Sequence, residues 1–427
     1  MKTLRRQRIL LPVILFAFIF SAKAQNTNSA YSRYGYGVLK DPAVGASKGM
    51  GGISYALRGQ NVNPGNPASY AAVDSLTFLF DISISFTQSR FKTPNANQND
   101  DNGGLDYLAL EFPIAKRLAI SAGFLPYSSV GYSFGGIVNE GEISQSQSVF
   151  SGSGGLNQIY GGLAYRLFDN LSVGANVAYL YGDLEHLRTN VFSESTHAST
   201  SELKRLSVNA AKMDFGLQYQ QLLKIAGRPH LLTLGAVYSP SVKPSAKTSV
   251  ISEDTLTYKG NVQLPNTFGA GFTLANKNWL YGADITFQKW AELDYPAEME
   301  DGLTAADKRF NDRIRINAGG EFVIDPYDRS FFKRIKFRGG VNYSNSYLNV
   351  KENATGKVGG FSEYGATLGF ALPFRDNTYT GRTSYVNINF EYVKLRPEVK
   401  SMISEDYFSI SIGLSLNDLW FMKNKFR

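Results

Sequence analysis

From about Ser75 to Leu419 the chain alternates between apolar and polar positions. Leu76, Phe78, Phe80, Ile82, Ile84 and Phe86 are separated by Thr77, Leu79, Asp81, Ser83 and Ser85. Phe408, Ile410, Ile412, Leu414 and Leu416 alternate with Tyr407, Ser409, Ser411, Gly413 and Ser415, and Val386, Ile388, Phe390 and Tyr392 with Asn387, Asn389 and Glu391. Successive side chains of a strand point to opposite faces, so each run builds one apolar and one polar wall. Fourteen such runs can be traced, at roughly 75–92, 104–115, 117–134, 154–168, 170–187, 204–222, 230–247, 256–275, 277–293, 309–325, 333–350, 358–374, 381–396 and 404–419. Many exceed the length usual in soluble domains. Short connections (Ala115-Lys116-Arg117, Phe168-Asp169-Asn170, Ala275 to Asn278, Arg375-Asp376-Asn377) alternate with longer polar ones at 93–103, 135–153, 188–203 and 294–308. Short periplasmic turns and long outer loops are the asymmetry of a transmembrane barrel. The pattern therefore predicts an all-β, 14-stranded antiparallel transmembrane β-barrel, apolar wall outward. Asp81, Asp214, Asp284, Arg315, Glu321, Arg338, Glu363 and Glu391 are expected to face the lumen. A short helix is expected in the outer loop Ala297–Arg309.

One stretch breaks the alternation. Tyr31 to Ala72 is rich in Gly, Asn and Pro and follows no period. A non-regular backbone is tolerated at membrane depth only when buried in protein or lining a water-filled cavity. The stretch also carries Tyr31, Tyr34, Tyr36, Val38, Leu39, Ile53, Tyr55 and Leu57, costly to leave in water. It reads as a plug inside the barrel, with Asn61, Asn63, Pro64, Asn66 and Pro67 as its pinned end and gate. Before it, Lys2, Arg5, Arg6 and Arg8 precede an apolar run Ile9–Phe20 and the small-residue site Ser21-Ala22-Lys23-Ala24. This is the layout of a secretory signal peptide cut between Ala24 and Gln25, and the apolar run is too short to span a bilayer. The expected division is 1–24 signal peptide, 25–73 plug, 74–427 barrel, in a protein exported to the outer membrane.

Composition narrows the function. The formal charge is +8, but five cations and no acids lie in the leader, so the mature chain is near +3 (8 − 5). That is no nucleic-acid footprint. The chain has no Cys and three His, which removes thiolate chemistry and leaves little for a His-based metal site. The 25 Tyr, 29 Phe and 41 Gly, without an apolar run long enough for a membrane helix after residue 24, suit a transmembrane barrel. Tyr127, Tyr132, Trp279, Tyr281, Trp290, Tyr295, Trp420 and Phe421 are expected at the interfacial girdles. His186 beside Glu185, and His197 near Glu194, raise a Ser/His/acid hydrolase at the outer rim, but loop His and Ser are usually only solvated. His230 reads as a structural residue at a periplasmic turn. Asn99, Asp100, Asp101, Asn102 and Asp106 offer oxygens to Ca²⁺ without the EF-hand spacing. Gly35-Tyr36-Gly37 lacks the context of a phosphate loop. No enzyme and no cofactor is expected.

Two motifs carry a resemblance. Met50-Gly51-Gly52 with Asn61-Val62-Asn63-Pro64 and Asn66-Pro67-Ala68 resembles the N-terminal hatch of FadL-type outer-membrane transporters. Leu264-Pro265-Asn266-Thr267-Phe268-Gly269-Ala270-Gly271-Phe272 resembles a Pro-containing strand start found mid-barrel in that family. The openings Tyr31-Ser32-Arg33-Tyr34-Gly35-Tyr36-Gly37 and the ending Asn417-Asp418-Leu419-Trp420-Phe421 mark a lineage variant of it. The resemblance implies passive uptake of small hydrophobic molecules, fatty-acid-like or aromatic, gated by the plug. The alternative is a non-transporting barrel subunit of an outer-membrane protein-secretion or barrel-assembly complex. Membrane lipid is the expected surrounding. A hydrophobic ligand would favour the first reading and complex partners the second.

Overall fold

The computed structural model describes residues 28–93, 96–139, 145–192, 199–299, 303, 307–352, 355–375 and 382–419. The predicted leader, the Ala24–Gln25 cleavage pair, Trp420 and Phe421 lie outside them.

Fourteen staves form the wall: β1 (Thr77–Lys92), β2 (Asn97–Ala115), β3 (Leu118–Pro126, resumed as Ser128–Asn139), β4 (Gln145–Phe168), β5 (Leu171–Phe192), β6 (Thr200–Ile225), β7 (Arg228–Ser239, resumed as Ser245–Ile251), β8 (Thr255–Gly260, resumed as Thr267–Ala275), β9 (Trp279–Gln288), β10 (Arg313–Val323), β11 (Lys336–Asn345), β12 (Phe361–Arg375), β13 (Thr383–Pro397) and β14 (Ser404–Leu419). Each pairs antiparallel with its sequence neighbour. β1 closes on β14 in one unbroken register from Thr77↔Leu419 to Lys92↔Ser404. Closure matters because a bilayer offers no hydrogen bonds to a free sheet edge.

The wall is inverted relative to a soluble protein. Ile84, Phe86, Phe272, Ile285, Ile316, Leu368 and Ile412 are exposed, while Asp81, Asp284, Arg315, Asn317, Arg338, Asn342, Thr367 and Asn389 are buried. The period-two pattern thus faces its apolar side to lipid, as the sequence predicts. β4, β5 and β6 run 24, 22 and 26 residues, well past the ~10 a tilted strand needs to cross. The described residues of the expected loops at 93–103, 135–153 and 188–203 are therefore largely strand. Above the membrane the alternation fades because no lipid selects it, yet backbone pairing continues. The described residues of Ala297–Arg309 form no helix. There the chain follows Pro296 and buries Tyr295 and Met299 in a core over the barrel mouth.

Three staves break where prolines interrupt them. Pro126 precedes the break in β3, Pro240 and Pro244 fall in the break of β7, and Pro265 in that of β8. Proline cannot donate to a ladder. Past its break, β3 bends inward. It keeps β4 on one side, through Tyr127 N–H to Leu156 O at 2.8 Å. On the other side it pairs with the short strand Val38–Leu39, in register Val38↔Ser129. Among the described residues, β2 and the outer half of β3 form no ladder.

Of the six expected girdle aromatics among the described residues, two lie on the outer surface. Trp279 and Tyr281 are exposed, stacked at 5.3 Å, with Phe322 4.3 Å from Trp279. Tyr132, Trp290 and Tyr295 are buried instead, and Tyr127 packs against the same core. The cause is where the strands end: Trp290 lies beyond β9, where the chain turns inward across the mouth.

An arginine placed at Ile285, on the lipid face near mid-membrane, should cost about 2–4 kcal/mol of folding stability in vesicles. The same change at Leu256, outward but on the extension above the membrane, should cost close to nothing. Urea titration of both variants checks the membrane boundary.

Candidate functional site

The inner wall is covered by residues 28–73, which pass from the outer mouth down to the turn side. At the lower end the backbone is held by amides. Asn66 caps the 3₁₀ turn Pro67–Ala72: its Oδ1 accepts from Ala68 N–H at 3.0 Å, and Pro67 fills a first position where no N–H is needed. Its Nδ2 donates to Tyr55 O (2.7 Å) and Leu217 O (3.2 Å). Asn63 Nδ2 donates to Ser54 O (2.6 Å) and Leu57 O (3.0 Å). From the wall, Gln218 donates to Tyr55 O and Leu57 O (2.9 and 3.0 Å), Asn176 to Pro64 O (3.3 Å) and Arg166 to Ala71 O (2.5 Å). Of the five residues predicted to pin this end, Asn63, Pro64, Asn66 and Pro67 are buried in one network. Asn61 is half-buried and makes none of these bonds.

The wall beneath is bare. A Cβ on Gly216 would lie 2.1 Å from Asn66 Oδ1, and one on Gly174 2.5 Å from the Pro67 carbonyl. These glycines face each other across β5 and β6. The seat repeats on the far side, where Gly319 and Gly340, also paired, meet Met50 and Gly51. Backbone approaches backbone this closely only without side chains.

In the middle, the loop is held by charge. Asp284 accepts from Ser54 N–H (2.5 Å) and Tyr55 N–H (2.9 Å). Thr367 donates to Gly49 O and accepts from Gly51 N–H (3.1 and 2.8 Å), and Asn317 donates to Gly52 O (3.1 Å). Arg315 bridges Asp41 of the segment (2.7 Å) and Glu363 of β12 (3.0 Å), and Lys48 pairs with Asp106 (2.5 Å). Glu321 takes both Lys336 and Arg338 at 2.8 Å. The expected inward charges are mostly spent on one another or on the segment.

At the outer end an aromatic cluster closes the mouth. Tyr36, fully buried, lies 5.5 Å from Trp290, 5.4 Å from Tyr295 and 6.2 Å from Phe310. The Tyr347 hydroxyl donates to Gly37 O (2.7 Å) and accepts from Tyr36 N–H (3.0 Å), and Tyr295 donates to Gly35 O (2.6 Å). Burial pushes the Tyr36 phenol well above its ordinary pKa, so it stays a donor to Gln263 O at 3.0 Å. Glu405 of β14 ties down Ser29 (2.7 Å) and the Ala30 N–H (2.9 Å). Between the two ends remains a cavity of about 240 Å³ whose lining includes Lys40, Asp41, Lys48, Asp106, Arg315 and Glu391.

The other candidates are not assembled into sites. His186 is held through Nδ1 by the Tyr132 hydroxyl (2.8 Å), Glu185 pairs with Arg205 (2.7 Å), and among the described residues no serine is hydrogen-bonded to His186. His197 and Glu194 lie outside the described residues. Asn99–Asn102 sit on β2, Asp106 is taken by Lys48, Ser83 and Ser85, and among the described residues no group of acids and histidines is arranged for a metal. His230 bonds Arg228 O and Asn276 at a short turn. The sequence reading missed Trp290, Phe310 and Tyr347 as lid residues and the glycine seats. The signal for the seats was glycine at inward positions of neighbouring strands.

The family model described as BamG matches residues 6–427. The chain belongs to the BamG family. No curated protein matches it. Among solved structures, this BamG-family barrel is similar to a Pseudomonas aeruginosa FadL homologue, at TM-score 0.56 and 13% identity over 88% of this chain and 99% of that one. It is also similar to the P. putida toluene transporter TodX, at 0.56 and 15% over 90% and 100%. The CymD monoaromatic hydrocarbon channel matches at 0.51 and 14% over 90% and 100%. At these identities the likeness is one of fold: a BamG-family chain on a FadL-like barrel.

Two substitutions test the seat. Gly216→Val should overpack it, and Asn66→Ala should strip the cap from the buried Ala68 N–H and one donor from Tyr55 O, each lowering stability by about 1–3 kcal/mol. Urea midpoints measure this, and protease accessibility near Tyr55 should rise in both variants while the barrel stays heat-modifiable on gels.

Proposed function

We propose that this outer-membrane barrel is a sealed, non-enzymatic structural subunit of a larger outer-membrane assembly of the protein-secretion or barrel-assembly kind. The observation that carries this reading is the double seal. The mouth is closed by the Tyr36 cluster, the lower end by the Asn63–Asn66 network, and the space between carries charged side chains among apolar ones such as Leu39, Leu125 and Phe361. A binding site for a hydrophobic molecule is mostly apolar with few polar groups, whereas this cavity sets Lys40, Asp41, Lys48, Asp106, Arg315 and Glu391 among its apolar lining. The name of the matching family points the same way.

The second reading is passive uptake of a small hydrophobic molecule, fatty-acid-like or aromatic. It is favoured by the fold shared with structures titled as toluene and monoaromatic hydrocarbon channels, and by the missing ladder between β2 and the outer half of β3. In that reading residues 28–73 are the gate, and Asn63, Pro64, Asn66 and Pro67 hold it shut.

Purification from native membranes in mild detergent, with mass spectrometry of proteins and extracted small molecules, separates the two. The first reading predicts a stoichiometric assembly without a small apolar ligand. A lone barrel carrying an acyl or aromatic compound would overturn it. In planar bilayers the intact chain should be closed and a chain lacking Tyr31–Ala72 should conduct; equal conductance would show that the segment does not plug the lumen.

A further inference from the structure

The described turns on the short-turn side are two or three residues long and carry no aromatic: Lys116-Arg117, Asp169-Asn170, Ala226-Gly227 and Asn276-Lys277-Asn278. One differs. The connection from β10 to β11 runs from Ile324 to Ile335 and displays Tyr327 and Phe332 at 81% and 74% exposure, with Ile324 and Phe331 also exposed. It hangs past the last ladder pair, Val323↔Lys336, and so past the Trp279–Phe322 girdle that marks the membrane interface.

The turn is also rigid. Asp325 accepts from Tyr327 N–H (3.1 Å), and its own N–H donates to Lys333 O (2.9 Å). Asp328 accepts from Ser330 N–H (2.7 Å) and pairs with Lys333 (2.9 Å). The Ser330 amide and the Lys333 ammonium hold the Asp328 carboxyl below its ordinary pKa, so this staple stays charged at neutral pH. Asn278 donates to Val323 O and Ile324 O (3.0 and 2.6 Å), and Lys277 pairs with Asp325 (3.4 Å). Phe331 and Phe332 pack edge to face at 5.6 Å. Arg329 stands exposed beside the aromatics. Asp325 and Asp328 are already matched by Lys277 and Lys333, so Arg329 leaves the tip with surplus positive charge.

We infer that this turn is a docking surface for a soluble periplasmic protein, which receives Tyr327 and Phe332 in an apolar socket edged by carboxylates that meet Arg329. The inference rests on the assembly reading and names one of its partners. Exposed Tyr, Phe and Arg on a preorganised element are what interface anchors are made of. A membrane anchor is disfavoured by placement: anchoring aromatics would ring the rim, whereas these occupy one turn of the described set, beyond the last ladder pair Val323↔Lys336.

The test uses the full-length chain in its native outer membrane, with a photoreactive phenylalanine in place of Phe332 and quantitative mass spectrometry of co-purified proteins. The expected result is an adduct with one soluble periplasmic protein that also co-purifies. That protein should fall at least tenfold with Tyr327→Ser combined with Phe332→Ser, and with Arg329→Glu, but persist with Arg329→Lys, while membrane-embedded partners are retained throughout. Heat-shifted migration on gels confirms a folded barrel, and if the double variant does not fold, Arg329→Glu decides. Unchanged co-purification in the folded variants, or adducts to phospholipid alone, would overturn the inference and leave the assembly reading standing. A wild-type barrel with no partners would bring down the assembly reading itself.

Discussion

An irregular backbone at membrane depth has to find a partner for every buried N–H and C=O, and the rest of this structure follows from how that is done. Beyond the two-residue strand Val38–Leu39, the luminal segment has no ladder. Its carbonyls at Gly49, Gly52, Ser54, Tyr55, Ala56 and Leu57 are instead met by Thr367, Asn317, Asn63, Asn66, Gln218 and Thr273. The four wall partners, Gln218, Thr273, Asn317 and Thr367, sit on β6, β8, β10 and β12, so the segment ties together staves spread over about half of the barrel. The inner face is polar for this reason as much as for contact with water, and its glycines occur where the segment's backbone must come closest.

The same constraint explains why the lumen holds so many charges. Arg315 between Asp41 and Glu363, and Glu321 between Lys336 and Arg338, are pairs in which removal of one member would strand the other. Such a lumen is held in one arrangement. Moving the segment aside would require the Arg315–Asp41 pair to separate inside the lumen.

Much of this was written in the sequence, unevenly. Strand number and facing were legible because lipid imposes a strict two-residue alternation, as Phe78 to Phe86 show. The segment 31–72 stood out by lacking it, and Asn63 and Asn66 could be named because Asn-Pro pairs favour turns and caps. Strand ends were not legible: above the bilayer, β4 to β6 keep pairing without an apolar face. Trp290 and Tyr295 looked like girdle residues because aromatics serve membrane interfaces and protein cores alike, and only the inward turn after Gln288 decides between them. The pairs that staple the segment join residues far apart in sequence, such as Ser29 and Glu405, and no local pattern announces them.

Hydrogen exchange of the barrel in lipid vesicles tests the central claim most directly. If residues 44–73 are fastened to the wall as described, the amides of Gly51, Ser54, Tyr55, Ala68 and Val73 should exchange as slowly as those of β9 and β10, and Asn66→Ala should release Tyr55 and Ala68 first. Fast exchange across the segment beside a protected barrel would show it to be loosely held, and the account of a sealed, supporting lumen would be wrong.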